Sequence, residues 1–193
     1  MNFEQYQNYL IDTATSLLSI DSTSGFTAKV TDYLIDTVKE LGYPVYKNNI
    51  GNVIVTVEGE DDSEPVALSA HVDTLGLMVR SITSDGMLMI TSIGSPLLPS
   101  LDGEYCNIHT RDGRVYTGTI LSLSPAVHVF PDASTRDRDE QNMAVRIDEI
   151  VHSKEDIEAL GIHAGDFVCY DPKTTFTKSG ASIAVRPLTS VTS

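Results

Sequence analysis

Apolar positions in the first forty residues recur at steps of three and four. Phe3, Tyr6, Leu10, Ala14 and Leu17 fall on one face of a first helix, and Val30, Leu34, Val38 and Leu41 on one face of a second. Gly42 stands where a left-handed C-cap would end that second helix. The polar turn IDSTSGF separates the two. Beyond Gly42 the period falls to two: PVYKNNIGNVIVTV holds two β-rich runs around Asn48–Asn49 and Gly51–Asn52, which predicts a hairpin. The acidic loop GEDDSEP follows, and then Val66–Ala70, an uninterrupted apolar run that reads as a short strand buried on both faces. From Gly76 onward GLMVRSI, MLMITSIG, YCNIHT, RVYTGTILSL, VHVF, MAVRIDEIV and GDFVCY alternate with Gly and Asp turns, which predicts a second, mainly β unit. One short helix interrupts it: Ser153 and Asp156 have capping-box spacing, and Gly161 ends the segment.

Composition narrows what such a chain can do. Of 193 residues, 41% are hydrophobic, enough for a real core. The formal charge of −14, from 27 acidic against 13 basic residues, repels phosphate backbones and anionic lipid heads. Nucleic acid and membrane surfaces are therefore poor partners. The N-terminus carries no basic residue ahead of an apolar stretch, and no apolar run approaches the ~20 residues of a membrane span, so the expected setting is the cytoplasm. Cys106 and Cys169 could pair, but in that setting they read as two reduced, partly buried thiols.

The candidate chemistry lies in LSAHVDTLGLMV, where His71 and Asp73 follow the Val66–Ala70 run. In open α/β sheets, ligand sites gather beyond the carboxyl ends of strands. Neutral imidazole is a good ligand for zinc or cobalt, and a carboxylate on its other nitrogen fixes the tautomer. Taken alone, the pair is a weak signal that arises often by chance, and its spacing favours a structural or surface histidine over a metal ligand. His109, His128, His152 and His163 read as surface or core residues remote from the His71 loop. Ser69 lies in an apolar run without a Gly-x-Ser-x-Gly elbow, which argues against a serine nucleophile. The mixed-charge stretch FPDASTRDRDE reads as an exposed loop.

Several segments in order, GYPVYKNNIGNVIVTVEG, SAHVDTLGLMV, SDGMLMITSIGSP, GTILSLSPAVHVF and VRIDEIVHSKEDIEALGIHAGDFVCYDP, resemble the M42 family of metallo-aminopeptidases, the glutamyl or deblocking type. The resemblance implies an α/β fold: an incomplete peptidase sheet with flanking helices, plus an inserted mainly β domain, PDZ-like or a barrel. It divides the chain into residues 1–74 (N-terminal peptidase portion), 75–172 (inserted domain) and 173–193 (return segment, with the match fading at about Gly180). It implies peptide substrates, two divalent metals, zinc or cobalt, and a homo-oligomer built through the inserted domain. By position, His71 would be a metal ligand and Asp73 the carboxylate that orients it; Thr74 stands where many members carry glutamate.

After Asp171 the sequence PKTTFTKSGASIAVRPLTSVTS contains no Asp, Glu, His or Cys. The family places a bridging aspartate soon after the inserted domain, and a general-base glutamate and further ligands downstream. The expectation is a truncated chain that binds at most one cation weakly and is inactive alone. The alternative is a non-catalytic fragment or oligomerisation module; a third reading is another co-catalytic metallopeptidase family with a similar His-x-Asp-Thr start.

Overall fold

The computed structural model describes residues 3–61, 63–179 and 182–186. Helix α1 spans Phe3–Leu18 and α2 spans Ala28–Glu40, as the three-and-four spacing predicts. Gly42 closes α2 at φ 83°: its N–H donates to the Lys39 carbonyl and that of Tyr43 to the Val38 carbonyl, the paired bonds of a left-handed glycine cap. Helix α2 lies against the hairpin of β1 (Val45–Lys47) and β2 (Val53–Val55). The Asn48 side chain caps that turn by accepting from the N–H groups of Ile50 and Asn52.

Six strands then close on themselves: β3 (Gly76–Ile82), β4 (Leu88–Ile93), β5 (Tyr105–His109), β6 (Val115–Ser122), β7 (Met143–Ile147) and β8 (Phe167–Tyr170), in the order β3-β4-β7-β6-β5-β8. All six pairings are antiparallel, so closure removes the open edges that a short sheet of this kind would otherwise expose. The period of two sets the interior. Leu77, Leu88, Ile90, Ile108, Ile120 and Val168 are fully buried, each contributing roughly 1.5–3 kcal/mol relative to an exposed side chain. Leu98 and Leu101, from a 3₁₀ turn, join this cluster, as do Ile157 and Ile162 around α3 (Lys154–Ala159). Ser153 accepts from the Asp156 N–H and Gly161 closes α3 at φ 77°, so both predicted ends are present. A last hairpin, β9 (Thr175–Ser179) with β10 (Ser182–Arg186), lies beside α1.

Two apolar runs depart from the expectation. Val66–Ala70 is not a strand: it is irregular, with Val66 89% and Leu68 97% exposed. A parallel strand exists through ladder bonds to neighbours on both sides, and no described strand lies beside this run. Outside the barrel the described strands form only two hairpins, β1–β2 and β9–β10, so the wider sheet anticipated around this run is not found among the described residues. VHVF also fails to extend: the N–H groups of Val129 and Phe130 both donate to the Ala126 carbonyl, folding the run into a turn with exposed valines.

FPDASTRDRDE is a loop, as expected, but a tethered one. Arg138 Nε meets Asp102 Oδ2 at 3.0 Å and its Nη2 donates to the Ala133 carbonyl, while Glu140 accepts from the Ser92 N–H at 2.6 Å and from the Thr91 hydroxyl at 3.0 Å. The Ser92 bonds come first among the causes that hold the Glu140 carboxyl below its usual range.

Burial is thus concentrated in the barrel: α1 buries no residue, and residues 63–71 are exposed throughout. Limited proteolysis should cut between residues 57 and 70 first and leave a resistant core spanning Gly76–Tyr170. Mass spectrometry of the early fragments checks this, and early cuts inside the barrel would contradict it.

Candidate metal centre

The segment Asp21–Phe26 organises the site, because nearly every residue in it is tied either to the His71 loop or to the barrel. Thr23 and Thr74 form a parallel bridge, in which the Ser24 N–H donates to the Thr74 carbonyl at 3.1 Å and the Thr74 N–H to the Ser22 carbonyl at 2.9 Å. Ser22 Oγ donates to the Val72 carbonyl, and Ser24 Oγ donates to Asp73 Oδ2 at 2.5 Å. Gly76 allows this close approach. A Cβ there would fall 2.0 Å from Thr23 Oγ1 and 2.5 Å from its Cγ2, so no larger residue fits without displacing the segment.

The other side of the segment meets the outer face of the β5–β8 pair. Along β5 and β8, Cys106, Ile108, Val168 and Tyr170 belong to the core cluster, which turns Asn107, His109, Phe167 and Cys169 outward. Asp21 Oδ2 accepts from Asn107 Nδ2 at 3.0 Å and is 2.7 Å from His109 Nε2. Thr23 Oγ1 is 3.3 Å from Cys169 Sγ. The Phe26 ring stacks on Phe167 at 5.1 Å and packs against His109 at 4.7 Å.

His71 itself is exposed. Its Nδ1 is 3.2 Å from Asp73 Oδ1 and 3.1 Å from the Asp73 carbonyl, which leaves Nε2 as the nitrogen presented to a ligand. The Ser24 hydroxyl first, then the residue's own backbone N–H and lastly His71, hold the Asp73 carboxyl below its usual range. Asp73 is therefore an anion across neutral pH, suited to orienting an imidazole. For a metal centre the donor set fits as one corner only. Among the described residues one group of three potential metal ligands converges, Asp21, His109 and Cys169, and His71 is not part of it.

The remaining histidines sort by position. His128, His152 and His163 are exposed. His109 is buried, and it is not remote from the His71 loop: Asp21 holds His109 and Ser24 holds Asp73, three residues apart in one segment. The sequence reading passed over Asp21 and Ser24 because IDSTSGF looks like any polar turn. The signal lay in β5 and β8, whose outward positions carry Asn, His and Cys rather than solvent-seeking charges. Both thiols are free and buried; desolvation pushes Cys169 up to about 11 and raises Cys106 further.

Residues 51–188 match the family model of M42 glutamyl aminopeptidases, a span that runs past Gly180, where the resemblance was expected to fade. The chain belongs to the M42 glutamyl aminopeptidase family. Among curated relatives of this M42 chain, YhfE of Bacillus subtilis (strain 168) is 46% identical over 164 residues, covering 85% of the chain and 47% of the relative. Among solved structures, the aminopeptidase APDkam598 from the archaeon Desulfurococcus kamchatkensis superposes with a TM-score of 0.77 at 26% identity, covering 88% of this chain and 45% of that one. The TET1 peptidase of Pyrococcus horikoshii, which can assemble into a tetrahedron or a large octahedral shell, gives 0.73 at 26% identity, covering 92% and 51%. The M42 chain spans about half the length of these relatives. No helix among the described residues is long and apolar enough to cross a membrane.

Two substitutions test the docking of Asp21–Phe26. Gly76→Ala should cost about 1–3 kcal/mol through overpacking, and less in a Thr23→Ala background, as a double-mutant cycle of urea denaturation will show. Ser24→Ala should move the Asp73 carboxyl upward, visible in an NMR titration, and cost ~1 kcal/mol at neutral pH. The Asp73 carboxyl is lowered in the folded state, so its stabilisation is present above the ordinary carboxylate pKa and lost as pH falls through the folded value. The gap between wild type and Ser24→Ala should therefore close in acid.

Proposed function

We propose that these residues form the N-terminal portion of a metal-dependent M42 aminopeptidase that removes N-terminal residues from peptides, with His71 as one metal ligand and Asp73 as the carboxylate that orients it. The observation that carries this reading is the engagement of His71 Nδ1 by an Asp73 that is itself fixed by Ser24, which leaves Nε2 for a cation. The chemistry supplied on binding zinc or cobalt would be activation of a water and polarisation of the scissile carbonyl. The contribution of this chain is positional. Ser24 fixes Asp73, Asp73 fixes the His71 ring and its tautomer, and Thr74 is pinned by the Ser22 carbonyl.

In this reading residues 1–74 belong to the peptidase domain, 75–172 form the inserted domain and 173–193 return to the peptidase domain. The exposed Val66–Ala70 run belongs between further strands of an M42 sheet that would pair with its edges, under helices that would cover its faces, and that additional portion would supply the bridging aspartate, the general base and the other ligands. The 193-residue polypeptide alone then holds one corner of the centre and does not turn substrate over. Homo-oligomerisation through the barrel accords with the assembly of the Pyrococcus TET1 peptidase, and a cytoplasmic setting accords with two free thiols.

Aminoacyl-nitroanilide hydrolysis with added cobalt or zinc tests the assignment. The polypeptide alone should show no turnover. In a polypeptide extended through the rest of an M42 catalytic domain, turnover should appear, and His71→Ala should abolish it while Asp73→Asn lowers it about 10–100-fold. Full activity of His71→Ala would remove the residue from the centre.

A further inference from the structure

The converging Asp21, His109 and Cys169 have no part in the peptidase reading. Each presents one ligand atom, a carboxylate oxygen, Nε2 and Sγ, and the three atoms lie within 4.8 Å of one another. They come from three separate pieces of chain: the Asp21–Phe26 segment, β5 and β8. His109 and Cys169 are 6% and 4% exposed, so the group is a buried polar island on the barrel's outer face and not a solvated acidic cluster.

The donor types select the ion. With the Cys169 thiol giving up its proton to solvent as the ion binds, the donors are imidazole, thiolate and a single carboxylate, which suit zinc or cobalt(II), whereas calcium and magnesium take oxygen ligands. The spacing suits it too. At metal–ligand distances of ~2.0–2.3 Å, tetrahedral ligand atoms stand roughly 3.3–3.6 Å apart. The 2.7 Å contact between Asp21 Oδ2 and His109 Nε2 is tighter than this, and the 4.8 Å limit looser, so a small rotation of the Asp21 side chain would seat the ion. Thr23 Oγ1 lies 3.3 Å from Sγ, a hydroxyl contact that orients the cysteine side chain.

We propose that Asp21, His109 and Cys169 form a structural site for zinc or a zinc-like divalent cation, separate from the His71 centre, that fastens the Asp21–Phe26 segment to the barrel. Its ligands bridge the two parts of the chain, so occupancy stabilises their mutual placement. Because Ser24 belongs to the same segment, occupancy also steadies Asp73 and the His71 ring.

Sulfur ligation separates this site from the His71 centre, to which no cysteine contributes. Cobalt(II) titrated into the metal-free 193-residue chain should give a thiolate-to-cobalt charge-transfer band with tetrahedral d–d absorption, saturating at one equivalent. The band should be lost in Cys169→Ser, require at least about ten-fold more cobalt in Asp21→Asn, and be unchanged in Cys106→Ala and His71→Ala. Should Cys169→Ser fail to fold by circular dichroism, Asp21→Asn and Cys106→Ala decide. Absence of the band in the wild-type chain, its loss in Cys106→Ala, or no weakening in Asp21→Asn overturns the proposal. Loss of the band in His71→Ala overturns its separateness. None of these results touches the peptidase reading, which rests on turnover.

Discussion

The arrangement depends on one close approach: the backbone of Thr23 lies against the chain at Thr74, with its side chain over the bare Cα of Gly76. Gly76 is also the first residue of β3, and Leu77, directly after it, pairs with Val168 and is fully buried. The end of the His71 loop and the start of the barrel are therefore one continuous, rigidly placed backbone. The turn IDSTSGF is pressed against that junction. Its hydroxyls fix the His71 loop on one side while Asp21 and Phe26 fix the barrel on the other.

What makes this docking strong is its division of labour. The polar contacts are short and directional but individually worth ~1 kcal/mol, and several sit at half-exposed positions where water competes. The Phe26 ring, stacked on Phe167 and against His109, adds apolar burial that excludes water from the Asp21–His109 contact. Asp21, paired with His109 and Asn107 at once, loses less on desolvation than a lone carboxylate would. The arrangement selects one register between segment and barrel, because sliding by a residue would set Thr23 against a side chain instead of Gly76.

Where the physics was local, the residues alone disclosed the structure. Gly42 and Gly161 end helices because only a left-handed residue lets the paired terminal bonds form, and the barrel strands follow from alternation about positions such as Ile108 and Ile120. The His71–Asp73 contact was open to expectation through the family resemblance and not through the two-residue spacing, which by itself is a weak signal. Non-local physics was not legible. Val66–Ala70 carries the composition of a central strand, yet a strand is a relation to neighbours and none of the described segments supplies one. VHVF has strand composition as well, and it lost to a turn in which one carbonyl serves two N–H groups. The roles of Asp21, Ser24 and His109 depend on contacts across 49 to 88 residues of chain. No periodicity encodes them.

This division also explains how a histidine on an exposed loop can still have its geometry controlled. An exposed His71 gains little from packing, and its ring would sample several rotamers if only Asp73 held it. Precision is imported instead: the barrel is closed and edge-free, Gly76 and the Asp21–Phe26 segment carry its rigidity outward, and Ser24 delivers it to the Asp73 carboxylate. The barrel thereby steadies the His71 loop through the Asp21–Phe26 segment. A lesion at Thr23 or Phe26 would loosen the His71 ring while leaving every residue of the His-x-Asp motif in place, which is how a site built on contacts differs from a site built on a motif.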